Sequence, residues 1–357
     1  MKVLSVVGAR PQFVKLAPIA EAMAAPGSGV AKHVIVHTGQ HYDAAMSDVF
    51  FADLQIPDPD VHLGIGSGSH GVQTGTMLAG MDAVLDEHQP DVVLVYGDTN
   101  STLAGTVAAV KMHIPVAHLE AGLRSYNRRM PEEHNRVLTD HAADLLLAPT
   151  QVAMDHLASE GLAERSVLVG DVMTDVCFRV RDAVADTPPQ RPQALGERGY
   201  LVATIHRADN TDDPSRLAAV VSALAGSPLP VWLLAHPRLV ARAAEHQITL
   251  EQGSIVVGTP LPYPQMVAAV LGSHGVVTDS GGLQKEAFLL QRPCTTVRTE
   301  TEWVETLADD WNILLPGLEG LAQVVARPAP QAPQAQPYGD GHAAAAAVRA
   351  ITAIAER

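Results

Sequence analysis

Residues 91–102 read DVVLVYGDTNST, and this stretch decides the fold class. The run Asp91–Tyr96 is apolar after its first residue, and an unbroken apolar run of this length is typical of a parallel strand covered by helices on both faces. A Gly-Asp turn follows the run, and a helix is predicted from Ser101 to Met112. The stretch therefore predicts a strand–turn–helix unit of an α/β fold, with polar side chains where the strand ends.

The same unit recurs through the first half of the chain, where short aliphatic runs alternate with longer amphipathic stretches. Helices are predicted at Pro18–Ala25, with Pro11 near the start, and at Glu132–His141. The other strands predicted here are Lys2–Val7, His33–His37, Val116–Leu119, Asp144–Ala148 and Ser166–Val169. Because strands that alternate with helices pair in parallel, we expect one parallel sheet with helices on both faces.

The pattern restarts after Asp186–Arg198, a segment rich in proline and charge that predicts a linker or surface loop. Arg327–Pro337 predicts a second surface segment, and the alanine-rich stretch His342–Glu356 predicts a closing helix. The strands predicted in this half are Tyr200–Ile205, Val231–Ala235, Ser254–Val257, Gly275–Thr278 and Cys294–Val297. Two doubly wound α/β halves are therefore expected, with the break between them inside residues 170–195.

The composition bounds the partners and the compartment. The 357 residues include 24 basic and 39 acidic residues, and the formal charge of −15 argues against nucleic acid or an anionic membrane as the main partner. Cys177 and Cys294 have no CxxC or zinc-site spacing, which argues against a disulfide framework and a structural zinc. Because no apolar run approaches the roughly 18 residues of a membrane span and no signal-peptide pattern is present, a cytoplasmic location is expected.

Ionisable or glycine-rich segments follow several of the predicted strands. In open parallel sheets a ligand binds beyond the carboxyl ends of the strands, so residues that follow different strands come together there. The residues concerned are Gly8, Arg10, Lys15, Asp98, Glu120, His206, His236, Asp279, Ser280, Gly281, Gly282 and Glu286. Their recurrence predicts a shared ligand crevice.

The turn Ser280-Gly281-Gly282 is a candidate phosphate site, because backbone amides at the start of a helix bind anions and glycine allows close approach. An ordinary strand–helix turn before a helix at Leu283–Leu290 is the alternative. Basic side chains after other strands favour a diphosphate. No P-loop motif occurs, and Gly66–Gly71 (GSGSHG) fits GxGxxG but follows no strand of a βαβ unit, so a nicotinamide dinucleotide is not expected.

Carboxylates cluster in the first half. Asp98, Glu120 and the pair Glu132-Glu133 could carry out acid–base chemistry in one pocket. Alternatively, Asp98 caps the following helix, and the two glutamates are first-turn residues after Pro131. The residues alone leave both interpretations open. None of the 16 histidines falls in a standard metal-site spacing, so no metal is expected.

A family resemblance spans the chain from residue 2 to about 347. The matching segments are VVGARPQFVKLAPI, TGQHYD, PDVVLVYGDTNSTLA, HLEAGLRS, MPEEHNRVLTD, GDVMTDV, ATIHRADN, AHPR, TDSGGLQKEA and PYGDGHAA. In these segments the chain resembles the non-hydrolysing UDP-N-acetylglucosamine 2-epimerases. The resemblance implies a GT-B-like fold with two Rossmann-like domains. Residues 1–172, completed by the C-terminal helix at about 341–357, would carry the catalytic carboxylates, and residues 173–340 would bind UDP.

The resemblance also implies the site and the chemistry. A base removes the C2 proton while UDP leaves C1, which gives a 2-acetamidoglucal, and UDP then adds back while a proton returns to the opposite face. A UDP-sugar substrate, no cofactor and a homodimer are implied. The catalytic residues would be Asp98, Glu120, Glu132, His206, Arg10 and Lys15, and the UDP-binding residues would be His236, Ser280, Gly281, Gly282 and Glu286.

Three segments, HRADNTDD, GSGSHGVQTG and TETEWVE, look more like the epimerases of UDP-2,3-diacetamido-2,3-dideoxyglucuronic acid. That substrate is therefore one alternative. A GT-B glycosyltransferase, a hydrolysing epimerase and a non-catalytic nucleotide-sugar sensor are the others. Bacterial members activated by their own substrate carry Gln-His-X-Gln and a nearby arginine, whereas this chain has Gln40-His41-Tyr42-Asp43 and no arginine in Gly66–His70. We therefore expect substrate activation to be absent or weak.

Overall fold

The computed structural model describes residues 1–40, 56–197, 199–331 and 335–354. Packing divides the chain into two compact units. Unit 1 comprises Met1–Val176 and Gln336–Arg357, and unit 2 comprises Cys177–Ala335. His41, Tyr42 and Asp43, on which the expectation about substrate activation partly rests, lie outside the described residues.

Unit 1 contains a sheet of parallel strands in the order β3-β2-β1-β4-β5-β6-β7. These strands are β1 (Lys2–Val7), β2 (Lys32–His37), β3 (Val61–His62), β4 (Val92–Tyr96), β5 (Val116–Leu119), β6 (Leu145–Ala148) and β7 (Ser166–Leu168). Successive side chains of a strand point to opposite faces of the sheet, so alternate residues belong to two aliphatic cores, one on each face. Val3 and Leu94 belong to one core, and Leu4 and Val93 belong to the other.

The helices that cover this sheet follow its strands along the chain. They are α1 (Arg10–Ala24), α2 (His70–His88), α3 (Asn100–Lys111), α4 (Pro131–Ala142) and α5 (Gln151–Ser159). The next helix, α6 (Val172–Val184), contains the boundary between the two units, after Val176. Met77 and Met81 of α2 are fully buried and pack as core residues. The described residues of unit 1 therefore form helix–sheet–helix layers.

Unit 2 repeats the pattern with parallel strands in the order β10-β9-β8-β11-β12-β13. Its strands are β8 (Leu201–Thr204), β9 (Val231–Leu234), β10 (Ile255–Gly258), β11 (Gly275–Thr278), β12 (Cys294–Thr296) and β13 (Asn312–Leu314). Its helices are α7 (Ala208–Thr211), α8 (Pro214–Ala225), α9 (Pro237–Glu245), α10 (Tyr263–Leu271), α11 (Gly281–Leu289) and α12 (Leu321–Val325).

The last helix, α13 (Ala343–Ile354), belongs to unit 1 and packs against α1. Asp175 holds its first turn, since the carboxylate accepts the amides of Ala343 at 3.0 Å and Ala344 at 2.8 Å. A carboxylate at a helix N-terminus satisfies amides that have no acceptor within the helix. The closing helix predicted from the alanine-rich sequence is confirmed.

Each sheet has the strand order of a doubly wound fold, in which the chain reverses direction across the sheet between two central strands. The reversal lies between β1 and β4 in unit 1 and between β8 and β11 in unit 2. The α/β class with two doubly wound sheets is thus confirmed. The loops that follow these strands are the places where such folds bind ligands.

The structure adds elements that the sequence pattern did not predict. β3 and β13 are edge strands of two and three residues, too short to show alternation. Helix α2 begins at His70, directly after the glycine-rich segment that obscures its start. No helix of the described ranges has both the length and the apolar composition needed to cross a membrane.

Candidate active site

Gln12 fixes the loop after β1 to the loop after β4. Its buried side chain accepts the amides of Gly8 at 2.8 Å and Ala9 at 3.0 Å through Oε1. Its Nε2 donates to the carbonyl of Tyr96 at 2.8 Å and to Thr102 Oγ1 at 3.1 Å. The two loops at the strand reversal of unit 1 are therefore held together by one side chain.

Lys15 and Glu120 form a largely buried ion pair at this edge of the sheet. Lys15 comes from α1, and Glu120 follows β5 in a left-handed conformation with φ of +72°. Burial acts to lower the pKa of Lys15, but the charges of Glu120, Asp171 and Asp98 outweigh it and the pKa is raised. Lys15 is therefore a cation that the carboxylates of this edge share.

Asp98 is bound by an arginine that the sequence argument did not select. Its Oδ2 accepts from Arg136 Nη2 at 2.5 Å and from Nε at 3.1 Å. The N-cap of α3 is Thr99, whose hydroxyl accepts the amide of Thr102. The alternative in which Asp98 caps this helix is therefore wrong, because the cap is the next residue and the Asp98 carboxylate lies against Arg136.

The two glutamates at the start of α4 differ in their surroundings. Glu133 is buried and accepts from the amide and hydroxyl of Ser125 and from the amide of Tyr126, at 2.8–3.0 Å. Burial acts to raise the pKa of Glu133, but these hydrogen bonds and the charge of Arg136 outweigh it, and the pKa is lowered. Glu132 is partly exposed, and its side chain has no hydrogen-bonding partner among the described residues. Glu133 therefore holds a loop, whereas Glu132 is available to a ligand.

Asp279 orients His206 in unit 2. The fully buried carboxylate accepts the amides of His206 and Arg207 at 3.0–3.1 Å and the side-chain amide of Asn210 at 3.0 Å. It also lies 3.3 Å from His206 Nδ1. Burial lowers the pKa of His206 and Asp279 acts in the opposite direction, with a net lowering. The free protein therefore holds a neutral imidazole with Nδ1 on Asp279.

His236 lies beside His206, with their ring centroids 5.4 Å apart. Its Nδ1 accepts the amide of Arg238 and caps α9. Two histidine rings therefore stand together where β8 and β9 end.

Helix α11 starts at Gly281 rather than at Leu283, so the amides of both glycines lie in its first turn. Ser280 is the N-cap and accepts the amide of Leu283 at 3.4 Å. A Cβ on Gly281 would collide with the carboxylate of Glu302, which pairs with Arg298 at 2.9 Å. Two charged side chains thus approach the start of the helix at Gly281, and a larger residue there would have to displace the end of the Glu302 side chain.

Glu286, on α11, keeps its carboxyl in surroundings that disfavour the charge. Burial raises its pKa, although Lys285 and the Tyr263 hydroxyl act in the opposite direction. Unit 2 also contains a cavity of about 330 Å³. The charged residues of its lining are three arginines and two carboxylates: Arg207, Arg216, Arg298, Asp209 and Glu300.

The structure thus brings together Lys15, Glu120 and Asp98 in unit 1, with Glu132 at the start of α4. In unit 2 it brings together His206 and His236, and it places Ser280, Gly281 and Gly282 at the start of α11 and Glu286 further along the same helix. Arg10 opens α1, but its side chain lies outside the described part of the chain. Sequence reasoning missed Arg136, for which the only signal was its place one turn after Glu132 on the same helix face.

A family model described as UDP-N-acetylglucosamine 2-epimerase matches residues 27–352. The chain belongs to this epimerase family. It is therefore an isomerase, and the resemblance in the sequence segments is confirmed. The UDP-N-acetylglucosamine 2-epimerase of Methanocaldococcus jannaschii is 38% identical over 88% of both chains. The UDP-2,3-diacetamido-2,3-dideoxy-D-glucuronate 2-epimerase of Pseudomonas aeruginosa is 46% identical, again over 88% of both chains.

Solved structures of the epimerase family agree with the fold. The UDP-GlcNAc 2-epimerase of M. jannaschii, crystallised with UDP-GlcNAc and UDP, gives a TM-score of 0.83 at 35% identity and covers 99% of this chain and 100% of its own. The UDP-GlcNAc 2-epimerase of Neisseria meningitidis, bound to UDP-GlcNAc, gives a TM-score of 0.84 at 26% identity and covers 98% of this chain and 99% of its own. The GT-B-like fold class that the resemblance implied is confirmed.

Proposed function

We propose that this epimerase inverts C2 of a UDP-linked 2-acetamido sugar without net hydrolysis, through elimination and re-addition of UDP. The observation that carries the proposal is the set of carboxylates at the strand reversal of unit 1, two of which are paired with cations, Asp98 with Arg136 and Glu120 with Lys15. Carboxylates held near cations remain ionised and can take a proton from carbon.

The proposal assigns the acid–base steps to carboxylates of unit 1. One carboxylate of the set Asp98, Glu120 and Glu132 takes the C2 proton, the C2–H electron pair forms the C1–C2 double bond, and the C1–O bond breaks with its electrons on UDP. In the return step UDP attacks C1, and an acid of the same set delivers a proton to the opposite face of C2. Lys15 offsets the negative charge of Glu120 and Asp98 while these carboxylates are ionised.

Leaving-group stabilisation falls to unit 2. The amides of Gly281 and Gly282 have no acceptor within their helix and would bind a phosphate of UDP, with His206 and His236 as further donors. Glu286 would accept from the ribose hydroxyls, and Arg10 of α1 would be a further cation for the diphosphate. A bound diphosphate raises the pKa of His206 and draws a proton onto the ring as charge develops on UDP.

UDP-N-acetylglucosamine is the first candidate substrate and UDP-2,3-diacetamido-2,3-dideoxyglucuronic acid is the second. Two observations favour the second. The P. aeruginosa relative named for that sugar is 46% identical to this chain. Three arginines and two carboxylates line the cavity of unit 2, and this net positive charge would stabilise a carboxylate group.

Proton NMR in D2O with each UDP-sugar in parallel tests the proposal. We expect the C2 epimer to appear with deuterium at C2 and without accumulation of UDP. Sustained UDP release would instead indicate a hydrolysing epimerase, and turnover that requires an acceptor would indicate a glycosyltransferase. Binding of UDP without exchange on either sugar would contradict the proposal and favour a sensor.

The expected homodimer, the cytoplasmic location and weak substrate activation stay predictions. Sedimentation velocity and cell fractionation test the first two. For the third, Gln40 is tied to α3, since its Oε1 accepts the amide of Ser101 at 3.0 Å and the hydroxyl at 2.8 Å. We expect a hyperbolic dependence of rate on substrate, and a sigmoidal one that disappears on Gln40→Ala would contradict this.

A further inference from the structure

His118 is a fully buried histidine that links the turns carrying Asp98 and Glu120. Its ring and the side chain of Asp140 are both 0% exposed. The ring Nε2 lies 2.7 Å from the carbonyl oxygen of Gly97, and Nδ1 lies 2.7 Å from Asp140 Oδ1. Because a carbonyl oxygen can only accept, Nε2 is the donor to Gly97.

The Asp140 side of the ring belongs to an ionic network. Asp140 Oδ2 accepts the amide of Gly122 at 3.1 Å and Arg124 Nη1 at 2.7 Å. Arg124 also binds both carboxylate oxygens of Glu160, at 2.7 and 2.8 Å. Burial acts to raise the pKa of Asp140, but His118 and Arg124 outweigh it and the pKa is lowered. Asp140 is therefore an ionised acceptor, so Nδ1 of His118 also donates.

The Gly97 side of the ring lies at the proposed catalytic edge. Gly97 has φ of +58°, and its amide donates to the carbonyl of Leu119 at 3.0 Å. A Cβ on Gly97 would lie 3.3 Å from Glu120 Oε2 and 3.4 Å from Lys15 Nζ. Asp98 is the next residue along the chain. A rotation of the Gly97–Asp98 peptide would therefore move Asp98 and, at the same time, the backbone that lies against the Lys15–Glu120 pair.

We propose that His118 is a positioning residue, whose Nε2–H holds the Gly97 carbonyl and so sets Asp98 and Glu120 relative to each other. The inference rests on the proposed epimerase function, since it assigns a role in that reaction. A displacement of about 1 Å at reacting groups lowers a rate by roughly 100-fold, so a bond that fixes their backbone has a catalytic effect without touching substrate. The Asp140 side of the same ring stabilises the fold.

Two substitutions separate the two sides of the ring. In His118→Asn the side-chain amide takes about the place of Nδ1, which keeps the donor to Asp140 and removes the donor to Gly97. In His118→Gln the amide reaches about the place of Nε2 and keeps the bond to Gly97. We expect kcat for C2 exchange to fall at least about tenfold in the first variant and to stay within about threefold in the second. KM and the affinity for UDP should change little in either variant.

Leu4→Ala is the control for lost stability, because Leu4 is a fully buried aliphatic core residue of β1 with no proposed role in the reaction. It should lower Tm and keep kcat. Equal kcat in the two His118 variants, or losses of kcat that follow Tm across all three variants, would overturn the inference. If His118→Asn does not fold, a tenfold loss in His118→Gln would overturn it alone.

The same measurements separate this inference from the proposed function. Absence of C2 exchange in the unmodified protein with both UDP-sugars means that the proposed function has failed, and the positioning role falls with it. Exchange in the unmodified protein together with full kcat in His118→Asn means that the positioning role alone is wrong.

Discussion

The ammonium group of Lys15 and the carboxylate of Glu120 form an ion pair that packs against the backbone of Gly97, the residue before Asp98. The side chains are only 12% and 10% exposed, so each charge depends on the other for compensation. The pair therefore contributes charge balance and shape to the proposed catalytic edge. Its effect on stability and its proposed effect on the chemistry can be separated by substitution.

Lys15→Met leaves the Glu120 carboxylate buried without its cation. Because an unpaired buried charge is costly, we expect the free energy of unfolding in urea to fall by about 3–5 kcal/mol. The double variant Lys15→Met/Glu120→Gln should recover most of that stability, since both charges are gone, yet it should show no C2 exchange. A double variant as unstable as the single one would show that the pair is not the source of the loss.

Gly97→Ala tests the contact between this backbone and the ion pair. A side chain at positive φ costs about 1–2 kcal/mol by itself, and the new Cβ would also press on Glu120 Oε2 and Lys15 Nζ. Gly161→Ala is the matched control, because Gly161 has φ of +77° and nothing within 4 Å of the new Cβ. We expect at least as large a loss of stability in Gly97→Ala as in Gly161→Ala, and a loss of exchange, about tenfold or more, only in Gly97→Ala. Equal exchange rates would show that the crowding has no catalytic effect.

The carboxyl ends of the strands could be predicted from sequence, because an apolar run followed by Gly-Asp or Ser-Gly-Gly marks both the strand and the loop after it. That pattern was enough to select Asp98 and Ser280. The partner of Asp98 could not be predicted, because Arg136 lies 38 residues later on another element and only the packing of α4 brings it close. The role of His118 could not be predicted either, because its ring lies in an apolar strand and its partners, Gly97 and Asp140, come from other elements.

Asp98→Asn and Glu286→Ala should separate chemistry from binding. Asp98→Asn removes a proposed acid–base group, a class of residue that contributes about 100-fold or more, so C2 exchange should be lost while UDP binding stays nearly intact. Glu286→Ala removes the proposed ribose acceptor and should weaken UDP binding. Isothermal titration with UDP and deuterium exchange at C2 measure the two effects. Loss of UDP binding in Asp98→Asn would assign that residue a structural role instead.

Asp279→Asn should lower the pKa of His206 further. Burial already lowers this pKa, and the Asp279 charge is the largest influence that raises it, so removing the charge disfavours the imidazolium. The titration of the His206 ring protons, followed by NMR, should therefore move to lower pH, and the rise caused by bound UDP should begin from that lower value. Asp209→Asn is the control, because Asp209 is exposed on α7, where solvent screens its charge. An unchanged His206 titration in Asp279→Asn, or an equal shift in Asp209→Asn, would show that the 3.3 Å contact does not set the charge of this ring.

The lowered pKa of His206 also makes the stability of the fold depend on pH. Below the ordinary histidine pKa the unfolded chain binds a proton at His206 that the folded chain does not bind, so a fall in pH favours unfolding. The folded protein should lose stability as pH falls below about 6.5, the ordinary histidine value, and the loss should be steeper in Asp279→Asn than in Asp209→Asn.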